Sequence, residues 1–460
     1  MLFRAAALVA ALSFASHLCA QPEPAPFAAG DRWCAVGDSI THSGAYHGLV
    51  WLYYVTRFPE RVIEPSNAGL SADTAAGGLR RLEWDILPHR PTVASVMFGM
   101  NDVGRTLYND PATPELEEKR RERLSSYKDN QRLLVKALQD HGARVVLVTP
   151  SLFDQTVELD RPKQTGVNEA LAECASFLKT LAAETGATVV DFHEPMTRLN
   201  AEVQRRDPKL TIVGPDRVHP GPPGHLLMAY LFLRAQRVPG DVARLTIDAK
   251  KKRVTAAVNG EASDVRRGKG ELSFTWTEKA LPFPVSTETA PALEWVPFVQ
   301  DLNQEILQVT GLAAGHYTLS IDDETPALGP YSSDALASGV NLATERTTPQ
   351  YRQALAIAEK VEKRRALVTE RVRNLALIEH RLLPDGPHPV TIDVMKPLLA
   401  EQFELFKTKP PAPSIQRATE AYPELKPKEA ESIAAAAQLV DDARQAARPR
   451  PHRYRLKPVD

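Results

Sequence analysis

The sequence predicts an α/β fold in which helices cover both faces of a parallel sheet, followed by a small β region and a helical region. Over residues 33–240, short apolar runs bounded by Gly, Pro or Asn alternate with helical patterns. Strands that alternate with helices need crossover connections, which favour a parallel sheet. After residue 240 the pattern alternates with period two, and from residue 348 it becomes helical.

The first region contains five predicted strands. They are the runs at residues 33–37, 61–67, 92–99, 143–150 and 187–192. Helices are predicted between them, and those over residues 127–142 and 167–186 both end in Gly, as helices often do. Ligands of parallel sheets bind at the carboxyl ends of the strands, so the residues after each run are candidates for a site.

The rest of the chain predicts two further domains. Residues 244–325 alternate around turn residues and predict a small antiparallel β domain after a first domain at 21–243. Residues 326–460 form the predicted helical region. Its helix from Pro349 to about Leu383 carries an apolar stripe that needs a partner surface, either the first domain or another helix. A linker is predicted at 407–414, a last helix at 427–447, and a loose tail from Arg448.

The N-terminus has the pattern of a secretory signal. Arg4 precedes an apolar run from Ala5 to Ala15, and Ala20 stands before a polar, Pro-rich stretch. This pattern predicts a signal peptide over residues 1–20 and a secreted or periplasmic protein. The run is shorter than the ~20 residues that a membrane span needs.

Composition excludes some classes of partner and of fold. The 460 residues are 43% hydrophobic and 25% charged, with a net charge of −1, as expected for a soluble protein without a nucleic-acid partner. Beyond the predicted signal only Cys34 and Cys174 remain, so a disulfide framework is excluded. Two buried thiols or a single bridge are the alternatives.

Four short stretches carry the groups that acyl transfer requires. Ser39 in "GDSIT" is a candidate nucleophile whose N–H is also a candidate oxyanion donor. Asn101 in "GMND" offers a carboxamide donor, and "NAGLSADT" (67–74) offers a backbone N–H. In "DRVHP", Asp216 and His219 are three residues apart, which lets the carboxylate orient the imidazole toward Ser39.

On these four stretches, residues 33–240 resemble the SGNH hydrolases, also called the GDSL esterase/lipase family. The resemblance implies a flavodoxin-like three-layer α/β/α domain with a five-stranded parallel sheet. It implies Ser39 as nucleophile, His219 as base and then acid, and Asp216 as the residue that orients it. Ser39, Asn101 and a backbone N–H of the second stretch would form the oxyanion hole. No metal and no other cofactor is expected.

The second stretch departs from the family pattern. The family usually has Gly where this chain has Ala72, so Ala72 is the predicted donor and Gly69 a weaker alternative. Because the donor is the main-chain N–H, Ala can serve if the backbone angles suit a residue with a Cβ. His42 and His47, together with Gly69, either line the substrate cleft or have structural roles.

The sequence therefore predicts a secreted serine esterase that works through an acyl-enzyme. The resemblance and the predicted export favour an acetylated polysaccharide as substrate, and other small esters remain candidates. A glycan O-acyltransferase and a non-catalytic glycan-binding or scaffolding protein are the alternatives. The oligomeric state is left open.

Overall fold

A five-stranded parallel sheet lies at the centre of the first region of the chain. The structure, a computed structural model, describes residues 23–268, 270–323 and 327–459, so the predicted signal peptide lies outside the described residues. The strands are β1 (Arg32–Gly37), β2 (Glu64–Gly69), β3 (Val93–Met97), β4 (Arg144–Val148) and β5 (Thr188–Val190). They are parallel in the order β2-β1-β3-β4-β5, which confirms the predicted sheet.

Helices cover both faces of this sheet. They are α1 (Ser39–His42), α2 (Ala45–Arg57), α3 (Ala75–Arg80), α4 (Pro114–Asp140), α5 (Val167–Thr185), α6 (His193–Gln204) and α7 (Pro222–Ala235). Successive strand residues point to opposite faces, so Trp33 joins the core beneath α2 and α7 while Cys34 joins the core beneath α4 and α5. The second cysteine, Cys174, is also buried, and both thiols are free.

The register of the sheet brings three of the four predicted stretches to one point. Gly37, the last residue of β1, lies beside Gly69 of β2 and Met97 of β3. The residues that follow these three strand ends therefore meet at the same edge of the sheet.

The β region that follows contains two sheets around a common core. Its elements are β6 (Asp241–Asp248), β7 (Arg253–Val258), β8 (Gly260–Gly268), β9 (Glu271–Glu278), α8 (Phe298–Leu302), β10 (Gln304–Thr310), β11 (His316–Ile321), β12 (Leu328–Ser332), α9 (Ser333–Ser338) and β13 (Val340–Asn341). One sheet has the order β13-β10-β6-β7. The second sheet contains β11. Leu307 of β10 and Leu319 of β11 belong to one apolar cluster, so the two sheets share a core.

The helical region begins with one long, interrupted helix. It runs as α10 (Pro349–Leu367), a π-helical segment at Val368–Arg373 and α11 (Asn374–Leu382). The remaining elements are α12 (Ile392–Thr408), α13 (Pro413–Leu425), α14 (Glu429–Ala446) and β14 (His452–Pro458). Ala354, Ile357 and Val361 of α10 share a core with Val50 of α2 and Ala443 of α14, so both predicted partner surfaces are used.

Two expectations for the later regions are wrong. The tail from Arg448 is not loose, because β14 pairs with β9 on one side and β11 on the other. The β region is not purely antiparallel either, since β6 and β10 pair in parallel. Among the described residues, no helix has the length and apolar character of a membrane span.

Candidate active site

The side chains of Ser39, His219 and Asp216 form a hydrogen-bonded chain. Ser39 Oγ lies 2.7 Å from His219 Nε2, and His219 Nδ1 makes a short contact with Asp216 Oδ2. This geometry fits a neutral imidazole whose Nδ1–H donates to the carboxylate and whose Nε2 accepts from the serine hydroxyl. The side chains of His219 and Asp216 are 47% and 41% exposed, so the chain is open to a substrate.

Local sequence explains how Asp216 and His219 reach one another. Asp216 Oδ1 accepts hydrogen bonds from the N–H groups of Val218, at 3.1 Å, and His219, at 3.0 Å, which folds the loop back on its own carboxylate. The Gly214 N–H closes the loop on the His219 carbonyl at 2.6 Å. Burial alone would raise the pKa of Asp216, but the hydrogen bonds from His219 and Val218 outweigh it and lower that pKa.

Arg217, between the two, was not identified from the sequence. It is buried with a positive φ of 68°, and its guanidinium donates to three carbonyls of the preceding segment. These are Asp154 and Val157, each at 2.9 Å, and Arg161, at 3.1 Å. Its only signal in the sequence is an arginine inside "DRVHP", where an exposed residue would look the same.

Ser39 is held at the end of β1 by the residue before it. Asp38 is buried and caps α1, because its Oδ1 accepts from the Ile40 N–H at 3.0 Å. Burial raises the pKa of Asp38 to about 6, and the hydrogen bond from Ile40 opposes that shift. The Asp38 side chain therefore shapes the turn that presents Ser39.

Asn101 and Ala72 lie on neighbouring loops of the same edge. Asn101 Nδ2 donates to the Asp73 carbonyl at 2.9 Å, which leaves its second amide hydrogen free for a ligand. Asp102, a second residue not singled out beforehand, joins the two loops. Its carboxylate accepts from the N–H of Ala75 and of Gly99, each at 2.9 Å, and burial raises its pKa to about 7.

Ala72 occupies a backbone position that normally favours glycine. Its φ is +66°, and the Asp73 N–H donates to the Leu70 carbonyl at 3.3 Å, which makes Ala72 the third residue of a turn. A positive φ at that position is the mark of a type II turn, where Gly is preferred. The Cβ of Ala72 costs about 1–2 kcal/mol there. No described residue accepts a hydrogen bond from the Ala72 N–H, and Ala72 is exposed.

Gly69 has a structural requirement instead. A Cβ at Gly69 would lie 2.2 Å from the His42 nitrogen and 2.5 Å from the Thr41 carbonyl carbon, so the residue allows α1 to approach β2. Its N–H already donates to Asn67 Oδ1 at 2.9 Å. This occupied donor agrees with the preference for Ala72.

His42 and His47 are buried, which favours their structural alternative over a place in the cleft. His42 Nδ1 accepts from the Ser71 N–H at 3.2 Å, and His47 Nε2 lies 3.0 Å from the Thr41 carbonyl. Burial lowers the pKa of each imidazole to about 4, so both are neutral at physiological pH. Within the described parts of the chain, no group of three or more His, Cys, Asp or Glu side chains is placed to bind a metal ion.

Comparison with known proteins extends this description. A family model described as the GDSL-like lipase/acylhydrolase family matches residues 35–227, which include all the residues of the hydrogen-bonded chain. An acetylxylan esterase of Geobacillus stearothermophilus is 27% identical over 224 residues, 45% of this chain and 93% of that enzyme. The solved structure of a gut microbial diltiazem-metabolizing enzyme is 31% identical, with a TM-score of 0.84, and covers 96% of this chain and 100% of that one. The similarity to the diltiazem-metabolizing enzyme therefore extends over the β and helical regions as well as the parallel sheet.

Proposed function

We propose that this chain, which belongs to the GDSL-like lipase/acylhydrolase family and is a carboxylic ester hydrolase, removes acetyl groups from an acetylated polysaccharide outside the cytoplasm. The observation that carries the proposal is the chain of contacts from Ser39 through His219 to Asp216 at the carboxyl edge of the sheet. The likeness to an acetylxylan esterase supports the acetyl group and the polysaccharide.

In the proposed mechanism, Ser39 Oγ attacks the ester carbonyl while His219 Nε2 takes the hydroxyl proton. Asp216 keeps the imidazole oriented and stabilises its positive charge. The imidazolium then donates its proton to the departing alcohol oxygen as the C–O bond breaks, which leaves acetyl-Ser39. Water, deprotonated by the same nitrogen, attacks this ester, and acetic acid leaves as the proton returns to Ser39 Oγ.

The negative charge on the carbonyl oxygen is met by preorganised donors in both steps. We assign these to the N–H of Ser39, the N–H of Ala72 and the carboxamide of Asn101. Donors of this kind contribute roughly 3 kcal/mol each to stabilising the transition state. Asp102 and Asp73 hold the two loops that carry the second and third donors in contact.

Acetate release tests the proposal directly. The purified protein is assayed with p-nitrophenyl acetate and acetylated xylan, beside Ser39→Ala and the exposed-serine control Ser176→Ala. We expect release by the unchanged protein and by the control, and at least 10⁴-fold less by Ser39→Ala. Release from neither ester by a folded protein would reject the esterase, and acetylated sugar formed in place of acetate would indicate a transferase.

A small organic ester is a second candidate substrate. One solved relative that covers nearly the whole chain is a diltiazem-metabolizing enzyme. Diltiazem is itself an acetyl ester. Diltiazem therefore belongs in the same assay. Acetate from diltiazem but not from acetylated xylan would favour the small ester over the polysaccharide.

Export is proposed on the N-terminal pattern alone. Expression of the full-length sequence in a bacterial host, followed by intact mass measurement of the periplasmic fraction, tests it. We expect a protein that begins at Gln21. A product that keeps residues 1–20 in the cytoplasm would reject both the cleavage and the location.

A further inference from the structure

The turn over residues 69–73, here called the oxyanion turn, holds its proposed donor in an unfavourable conformation. Ala72 has a φ of +66° and is exposed, so its own side chain has little packing to hold it there. A residue in this region persists only where the surrounding structure imposes it. Contacts of the other residues of the turn must therefore fix its geometry, and besides the Ser71 N–H contact with His42 these lie at its two ends.

One end is held by a residue some 300 positions later in the chain. Arg373, the last residue of the π-helical segment, is 2% exposed. Its Nε donates to the Gly69 carbonyl at 3.1 Å. Its Nη1 and Nη2 donate to the two carboxylate oxygens of Asp85, each at 2.7 Å. This bidentate pair fixes the orientation of the guanidinium, and with it the contact to Gly69.

The other end belongs to the same buried network. Asp85 also pairs with Arg81, whose Nε donates to Asp73 Oδ2 at 2.8 Å. Burial alone would raise the pKa of Asp85, but Arg373 and Arg81 outweigh it and lower that pKa, so the carboxylate is charged. We call Asp73, Arg81, Asp85 and Arg373 the arginine clamp. It joins both ends of the oxyanion turn through alternating charges.

The backbone around the clamp is also unusual. Asp85 lies in a π-helical segment at Leu82–Ile86, and Arg373 ends the π-helical segment at Val368–Arg373. Such segments are rare and are often found at functional sites. The helix that carries Arg373 also contacts the end of α1, the helix that begins at Ser39. Arg365 Nη1 donates to the Ser43 carbonyl at 2.9 Å, and Thr369 Oγ1 donates to the His42 carbonyl at 3.3 Å.

We propose that Arg373 is a positioning residue for ester hydrolysis: it holds the oxyanion turn so that Ala72 keeps the conformation that glycine would adopt more readily. The inference rests on the proposed function, because it assigns the Ala72 N–H to the oxyanion hole. It also gives the helical region a role in the active site. That region lies outside the residues matched by the family model.

The first test separates kcat from KM. In Arg373→Lys, an ammonium group can pair with Asp85 but cannot also reproduce the guanidinium contact with Gly69. We expect kcat for p-nitrophenyl acetate to fall about 100-fold, with KM changed less than threefold, since an oxyanion donor acts on the transition state. Arg364→Lys is the matched control, because Arg364 binds the Pro65 carbonyl at the start of β2. It should change kcat less than threefold.

Rescue distinguishes positioning from general damage. Adding Ala72→Gly to Arg373→Lys should restore kcat at least tenfold, because glycine adopts the positive φ without the clamp. If the single lysine variant does not fold, Arg373→Met with Asp85→Asn replaces the buried pair and receives the same Ala72→Gly addition. Equal kcat losses in the control, or no rescue by glycine, would overturn the proposal.

A stability measurement tests the clamp without the reaction. Ala72→Gly should raise the Tm of the unchanged protein by about 2 °C, because it relieves the strained alanine. It should raise the Tm of Arg373→Lys by less, because that turn has already relaxed. Equal shifts in the two backgrounds would show that Arg373 does not hold the turn. Lack of acetate release by the unchanged protein would reject the proposed function alone.

Discussion

The loop that carries His219 and the turn that carries Ala72 face the same serine, but they are held in different ways. Residues 214–219 are closed by their own carboxylate and backbone, with the Asp216 side chain accepting from residues two and three positions later. The oxyanion turn contains a strained alanine, and its contacts come from four separate places in the chain: His42, Arg81, Asn101 and Arg373.

This difference assigns the two halves of the proposed chemistry to different parts of the chain. The proton-transfer half is determined by a six-residue loop, whose own Arg217 ties it to residues 154–161. The charge-stabilising half depends on packing between the parallel sheet and the helical region. Substitutions in the first half should act directly on the base. Substitutions in the charge-stabilising half should act by displacing an oxyanion donor, the N–H of Ala72.

The largest effect is expected in the local loop. Asp216→Asn should lower kcat about 10³- to 10⁴-fold, because an amide can stabilise neither the imidazolium nor the required tautomer of His219. Asp207→Asn, an exposed carboxylate in a nearby turn, is the charge-matched control. Steady-state kinetics with p-nitrophenyl acetate measures both variants. A loss below tenfold in Asp216→Asn would place the orienting group elsewhere.

A smaller effect on kcat is expected when an oxyanion donor is removed. Asn101→Ala should lower kcat about 10²- to 10³-fold, since it removes one oxyanion donor and the 2.9 Å contact with the Asp73 carbonyl. Asn109→Ala, in the exposed segment after the same loop, should leave kcat unchanged. If the Asn101→Ala loss appears in KM alone, the carboxamide binds substrate and transition state equally well.

The smallest effect is expected from pH, and it concerns the local loop alone. His219 can accept the Ser39 proton only while Nε2 carries none, so kcat/KM should fall toward acid pH. The hydrogen bonds that outweigh burial lower the pKa of Asp216, so it stays ionised from pH 8 to 5. The acid limb should therefore have the slope of one proton. A flat profile over this range, with folding checked by circular dichroism, would reject His219 as the base.

The parts of the molecule that rest on local patterns were predictable. Four of the five parallel strands are short apolar runs bounded by turn residues, and the sequence pattern located them. The predicted second run, at residues 61–67, only overlaps β2, whose residues Glu64–Gly69 are mostly polar or small. The three stretches after β1, β2 and β3 could be placed together because parallel strands end at one edge of their sheet. The Asp216–His219 contact was predictable because it needs only three residues of local chain.

The parts that depend on distant packing were not predictable. Arg373 looks in sequence like any arginine on the polar face of a helix, and its partners Gly69 and Asp85 are 304 and 288 positions away. Burial of His42 could not be inferred either, since it follows from α1 packing on β2. The strand at residues 452–458 was missed because the tail from Arg448 as a whole is rich in Arg and Pro, although His452, Tyr454 and Leu456 alternate inward.

The position of β14 sets the order in which the molecule can be completed during synthesis. This strand lies between β9 and β11, and its His452 pairs with Asp322, 130 positions earlier. The facing edges of β9 and β11 therefore emerge from the ribosome long before the strand that fills the gap between them. Until residues 452–458 arrive, each edge offers free N–H and C=O groups to other chains. A ribosome that stalls before residue 452 would release a chain prone to aggregation, even though its entire parallel sheet had already been made.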